Sequence, residues 1–180
     1  MTRATIHDAT LRDATYVMSW LRPADEEEVM CQVPANMRID HMAYNLLFSG
    51  DTFAARIGDQ PVGFFGTSII NAACLSVWAL GTRDMWRAVG AMNRFLIDEH
   101  LPARITQGYH CMEARSIVTH TDAHRWIKQL GGKQHGEPFA FGRNREKFLL
   151  FRWDADDLAA TAKRCRRLGN NSQGSAPGSA

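Results

Sequence analysis

The sequence predicts one domain of the α/β (α+β) class, built on a mostly antiparallel sheet. Three observations carry this. Helical spacing dominates Leu11 to Ser49. An extended pattern with a hairpin signal takes over from Thr52 to Leu80. The strongest helical repeat of the chain follows at Asp84 to His100. A length of 180 residues fits a single domain with a sizeable core, and 45% hydrophobic with 22% charged residues is ordinary for a globular chain.

Thr5 to Ala9 is expected to be the first strand. Leu11 to Leu21 reads as a helix because Ala14, Val17, Met18 and Leu21 share one face. Arg22 to Val29 opens a second helix, where Pro23 suits a first turn and the run Asp25-Glu26-Glu27-Glu28 opposes the positive end of the helix dipole. Ile39, Met42, Ala43, Leu46 and Leu47 form the stripe of a third helix at Asp40 to Ser49, with Gly50 placed as its C-cap. Thr52 to Ile57 and Val62 to Ile70 flank the turn Gly58-Asp59-Gln60-Pro61, and Cys74 to Leu80 completes a three-strand meander.

In the helix from Asp84 to His100, Met85, Val89, Met92 and Leu96 recur at helical spacing, and Leu101-Pro102 marks its end. A strand is expected between Ile105 and Thr119. Thr121 is expected to cap the next helix, whose apolar face is Ala123, Trp126, Ile127 and Leu130 and whose stop is Gly131-Gly132. Pro138 to Phe141 and Phe148 to Trp153 read as a second hairpin. From Asp154 to Leu168, acids gather at the start and bases at the end, the polarity of a terminal helix. The tail Gly169 to Ala180 has almost nothing apolar, which predicts disorder, so the domain covers 1–168 and the tail 169–180.

Composition excludes several function classes. A net charge of +2 with mixed signs makes no strong case for nucleic acid, and no apolar run approaches a membrane span. Cys31, Cys74, Cys111 and Cys165 have no CxxC spacing and read as reduced thiols of a cytosolic protein. His110, Cys111, His120 and His124 lack an HExxH or paired-cysteine pattern, so no metal is expected. Ser68 and Ser116 lack the GxSxG setting of a serine hydrolase. The five tryptophans are scattered among the elements and are expected in the core.

The order of elements, the passage from meander to helix at Gly81-Thr82, and the helix ending Leu130-Gly131-Gly132 resemble the GNAT family of N-acyltransferases. Four segments, RPADEEEV (Arg22 to Val29), GDQPVGFFG (Gly58 to Gly66), WALGT (Trp78 to Thr82) and AHRWIKQLGG (Ala123 to Gly132), resemble the GNAT-like internal virion proteins of T-seven-like podophages. The resemblance spans Thr5 to Trp153. It implies a mixed sheet with helices on both faces. It also implies a phage-encoded, catalytically degenerate protein acting in virion assembly or inside the virion. Its partners would be other virion proteins or a host protein, and its location the host cytoplasm or the virion. The alternative it leaves is an acetyl-CoA-dependent N-acetyltransferase of a host or phage amine.

The same resemblance implies the site. Acetyl-CoA is the candidate cofactor, with contacts at Ala79, Gly81, Arg87, Ala88, Gly90 and His120. The family's phosphate loop, Arg/Gln-x-x-Gly-x-Gly/Ala, matches Arg87-Ala88-Val89-Gly90-Ala91-Met92, where Met92 replaces a small residue and is expected to crowd the phosphates. In the family's Asn-x-x-Ala-x-x-x-Tyr pattern, His120 stands for Asn, Ala123 is kept and Ile127 stands for the Tyr that protonates the leaving thiolate. His120 and Glu113 are the candidate catalytic residues, as substitute acid and as base.

Overall fold

The computed structural model describes residues 3–154, 156, 157 and 160. Strand β1 (Ala4–Asp8) leads into helices α1 (Leu11–Ser19), α2 (Pro23–Gln32) and α3 (Ile39–Leu47). The meander follows as β2 (Gly50–Ile57), β3 (Gln60–Asn71) and β4 (Cys74–Gly81). A single 3₁₀ turn, Met85–Arg87, then enters α4 (Val89–Phe95). Helix α5 (Leu101–Thr106), strand β5 (Cys111–Ile117) and helix α6 (Thr121–Gln129) come next. The described chain closes with β6 (Lys133–Gln134), β7 (Phe139–Ala140) and β8 (Lys147–Asp154). The expected terminal helix Asp154 to Leu168 and the tail lie outside the described residues, apart from the few positions just named.

The strands form one sheet in the order β1-β2-β3-β4-β5-β8-β6, with β7 also on β8. Every pairing is antiparallel except β4 with β5. Residues Val62 to Thr67 of β3 are all buried, because both faces of the sheet are covered. Phe65 joins Val62, Met85, Met92, Met112 and Trp153 in the core on one face. Its neighbour Phe64 joins Val17, Met18, Val29 and Met42 on the other, as the two-residue period of a strand requires.

Local chemistry accounts for the boundaries that differ from expectation. Thr10 and Asp13 cap α1 reciprocally, and Asp13, 1% exposed, also holds the Arg56 guanidinium at 2.9 and 2.7 Å, tying α1 to β2. Gly50 is not a helix cap. Helix α3 ends at Phe48, and Gly50 begins β2, where a Cβ would come within 2.1 Å of the Thr67 carbonyl oxygen. The helical path does not stop at Leu101-Pro102. A π-type turn, Leu96–His100, shifts the hydrogen-bond pattern, so Pro102 falls in the first turn of α5, where its missing N–H costs nothing. Thr121 is the first residue of α6 and His120 its cap position, with no side-chain cap bond. Of the tryptophans, Trp153 is buried, Trp78 and Trp126 are half-buried, and Trp20 and Trp86 are exposed. The Trp126 indole N–H donates to Asn93 Oδ1 at 2.6 Å, so half its surface packs and its polar edge is satisfied.

Two buried histidines make stability pH-dependent. Burial holds His100 below its ordinary 6.5, against the opposing charge of Asp51, and burial likewise lowers His124, against its bond to the Ile117 carbonyl. A histidine depressed in the fold binds its proton more readily when unfolded, so its stabilisation is complete above 6.5 and is lost as pH falls below it. For Asp13, burial works to raise the pKa, but the bonds from Arg56 and Thr10 outweigh it and hold the carboxyl below 3.8. That contribution persists until pH falls past 3.8 toward its folded value. The melting temperature should therefore be level from pH 8 to about 6.5, fall below that, and fall again below about 4. A melting temperature that rises on acidification from pH 7 to 5 would contradict this.

Candidate functional site: a wedge between two diverging strands

The parallel pairing of β4 and β5 covers Cys74, Leu75 and Ser76 against Cys111, Met112 and Glu113. Beyond it, Val77 to Gly81 and Ala114 to Ile117 have no register with each other. The strands splay, and a cavity of about 490 Å³ fills the wedge. It reaches the cores of both faces, touching Leu96 and Ile127 on one side and Val29 and Met42 on the other. Its volume lies in the range of about 300–1,000 Å³ common for small-molecule sites.

The polar wall of the wedge is built by α2. Glu28 Oε2 accepts from Ser116 Oγ at 2.8 Å, from the Ile117 backbone N–H at 3.0 Å and from His120 Nδ1 at 3.1 Å. Asp25, 1% exposed, accepts two bonds from Arg22, at 2.9 and 2.7 Å, and one from the Gly81 N–H at 2.7 Å. Its other neighbour is His120 Nε2, at 3.4 Å. The Arg22 N–H in turn donates to the Gly81 carbonyl at 2.8 Å. One helix end therefore satisfies backbone groups at the C-terminal ends of both splayed strands, where β4 and β5 no longer satisfy each other.

The expected site residues fall into three groups. Ala79 and His120 line the cavity. His120 is 6% exposed, and both of its ring nitrogens already face carboxylates. Arg87 lies exposed at the end of the 3₁₀ turn and Gly90 exposed in the first turn of α4; a Cβ on Gly90 would meet only Arg94, at 3.9 Å, so its outer side is open. Gly81 and Ala88 do not offer their amides: the Gly81 N–H is held by Asp25 and the Ala88 N–H by the Met85 carbonyl. Gly81 is small for a different reason, since a Cβ would strike Met85.

Two further expectations change. Met92 does not crowd the loop. Its side chain is fully buried in the core beside Gly63, pointing into the fold. Glu113 is not among the residues lining the cavity; its carboxylate faces Arg115 at 3.4 Å and Arg152 at 3.5 Å. Ile127, 9% exposed, lines the cavity with a hydrocarbon side chain where the resemblance implies a phenol. The histidines do not converge: His124 Nε2 meets the Ile117 carbonyl at 3.0 Å, while exposed His110 faces Gly108.

Arg22 and Glu28 line the cavity, and Asp25 joins Arg22 to Gly81 beside it; in the sequence, Asp25 and Glu28 carry only the signal of a helix dipole. Their i, i+3, i+6 spacing places them on one face, the signal that could have marked them. Ser116 had no such local mark.

No family model matches the sequence, and no curated protein does. Among solved structures, the aminoglycoside N(6′)-acetyltransferase of Legionella pneumophila superposes with a TM-score of 0.64 at 12% identity, covering 89% of this chain and 96% of that one. A candidate acetyltransferase of the GNAT family from Chromobacterium violaceum gives 0.65 at 14% identity, covering 88% and 91%. The fold is that of the GNAT acetyltransferases. YncA of Salmonella typhimurium, a candidate acetyltransferase solved with its cofactor acetyl-CoA, gives 0.63 at 14% identity, covering 85% of this chain and 94% of that one. At these identities the likeness establishes the GNAT fold, its mostly antiparallel mixed sheet and its helices on both faces. No helix among the described residues is long and apolar enough to cross a membrane.

Proposed function

We propose that the protein holds an acyl-CoA thioester in the wedge between β4 and β5 and lacks the acid that would turn it over efficiently. The observation that carries this is the wedge itself: a ligand-sized cavity whose imidazole has both nitrogens on carboxylates and whose α6 wall presents Ile127. The residues fit a CoA arm. Apolar side chains line the cavity. Arg87 and Gly90 are exposed where the chain enters α4, and buried Met92 removes the steric objection to phosphates resting there. An acyl thioester supplies the activated acyl group when bound; the chain's own residues orient it and exclude water.

The setting we propose follows the four segment resemblances: a phage protein of virion assembly or the virion interior, partnered by other virion proteins or a host protein. A second reading, an active N-acetyltransferase, is favoured by the linked Ser116 hydroxyl, Glu28 and His120, all lining the same cavity. Release of free CoA from acetyl-CoA with a panel of primary amines, followed by chromatography, separates the two. The expected rate is near the uncatalysed background and unchanged in His120→Ala. Saturable turnover that His120→Ala removes would replace this reading with the transferase one.

A further inference from the structure

At the closed root of the wedge, the first register position of the β4–β5 pair sets Cys74 opposite Cys111. Their Sγ atoms are 2.7 Å apart, and the residues are 5% and 6% exposed. We propose that Cys74 and Cys111 are a disulfide site, closed by a peroxide and reopened by a thiol reductant, that staples the two diverging strands where they last touch.

Closure asks only that the two sulfurs approach from 2.7 Å to the bond length of about 2.05 Å. Adjacent strands lie about 4.8 Å apart, inside the roughly 4.4–6.8 Å that a disulfide spans between Cα atoms. Cys31 does not compete, since its thiol donates to the Glu27 carbonyl on its own helix, 3.0 Å away.

The chemistry divides between the two thiols. Arg152 Nε–H donates to Cys111 Sγ from 3.0 Å, a cationic donor held against that sulfur, so Cys111 is the attacking sulfur. It bonds to one peroxide oxygen, the O–O bond breaks, and the other oxygen leaves as water with the Cys111 proton. The sulfur is now a sulfenic acid. Burial, with Cys111 alongside, pushes the Cys74 thiol up to about 12, so Cys74 keeps its proton until the second step. Cys74 Sγ then attacks the sulfenic sulfur, the S–S bond forms, the S–O bond breaks, and hydroxide departs with the Cys74 proton as a second water. Two thiols and one hydrogen peroxide give one disulfide and two waters.

Glu113 completes a group whose ligand atoms lie within 4.8 Å of one another, which invites a metal reading. Arg152 argues against it. The guanidinium contacts Cys111 at 3.0 Å and Glu113 at 3.5 Å, placing a fixed positive charge beside any cation bound there.

The test treats the full chain with hydrogen peroxide, alkylates the remaining thiols under denaturing conditions, and maps the peptides by mass spectrometry. Of the four cysteines, two should escape alkylation. The linked peptides should contain Cys74 and Cys111, and the melting temperature should rise by roughly 5–15 °C. Dithiothreitol should reverse both. Cys74→Ser and Cys111→Ser should each abolish the cross-link and the rise. A link through other cysteines, or Cys111 oxidised past the sulfenic state with Cys74 still free, would overturn the proposal. So would zinc alone protecting both thiols from alkylation in the absence of peroxide.

Discussion

Truncating Asp25 to alanine is expected to destabilise the fold by about 3–5 kcal/mol, the usual cost of removing one partner from a buried ion pair. In a chain of this length that lowers the melting temperature by roughly 6–20 °C. The size follows from what is stranded. The Arg22 guanidinium loses both its acceptors, the Gly81 N–H at the end of β4 loses the carboxylate it donates to, and His120 loses one of its two carboxylates. Asp25→Asn should cost less, because the amide oxygen can still accept from Gly81. Denaturant unfolding measures both. A loss below about 1 kcal/mol for Asp25→Ala would mean that water reaches these groups and that α2 does not close the wedge.

The second large effect is a gain. Ile127→Tyr is expected to raise acetyl-CoA turnover with an amine by about 10²-fold or more over the wild type, within the 10²–10⁴-fold that a positioned general acid contributes. Ile127 borders a cavity with room beside it, so the larger ring need not be forced wholly into packed core. The substitution still has an overpacking cost of about 1–3 kcal/mol. Steady-state rates for wild type, Ile127→Tyr and Ile127→Phe check the claim. The phenylalanine variant controls for ring volume. Equal rates for the tyrosine and phenylalanine variants would show that a hydroxyl at 127 does not reach the leaving sulfur.

The fold was legible where burial follows a local period. The stripes of α1, α3 and α6, the meander and the second hairpin all repeat at the spacing their structure imposes. The π-type turn before Pro102 was not, because the sequence shows a proline but not the hydrogen-bond shift that accommodates it. The site was legible only in part. His120 and Ile127 stand out against a family pattern, and both line the cavity. Asp25 and Glu28 were read as partners of their own helix dipole, since their true partners, Gly81, Ser116, Ile117 and His120, lie far along the chain. Met92 looked like an obstruction because its position in the motif says nothing of the direction of its side chain. Cys74 and Cys111 share no motif and meet only through the register of β4 with β5.

Calorimetric titration of acetyl-CoA into the wild type and Ala114→Phe tests the central claim most directly. Ala114 lines the wedge from β5 and is 6% exposed, so a phenyl ring there fills the space the pantetheine arm needs. The account predicts saturable binding to the wild type, with about 2.7 kcal/mol of added stability at 100 times Kd, and loss of that binding in a folded Ala114→Phe protein. Absence of saturable binding to the wild type, or undiminished binding to the filled wedge, would contradict it.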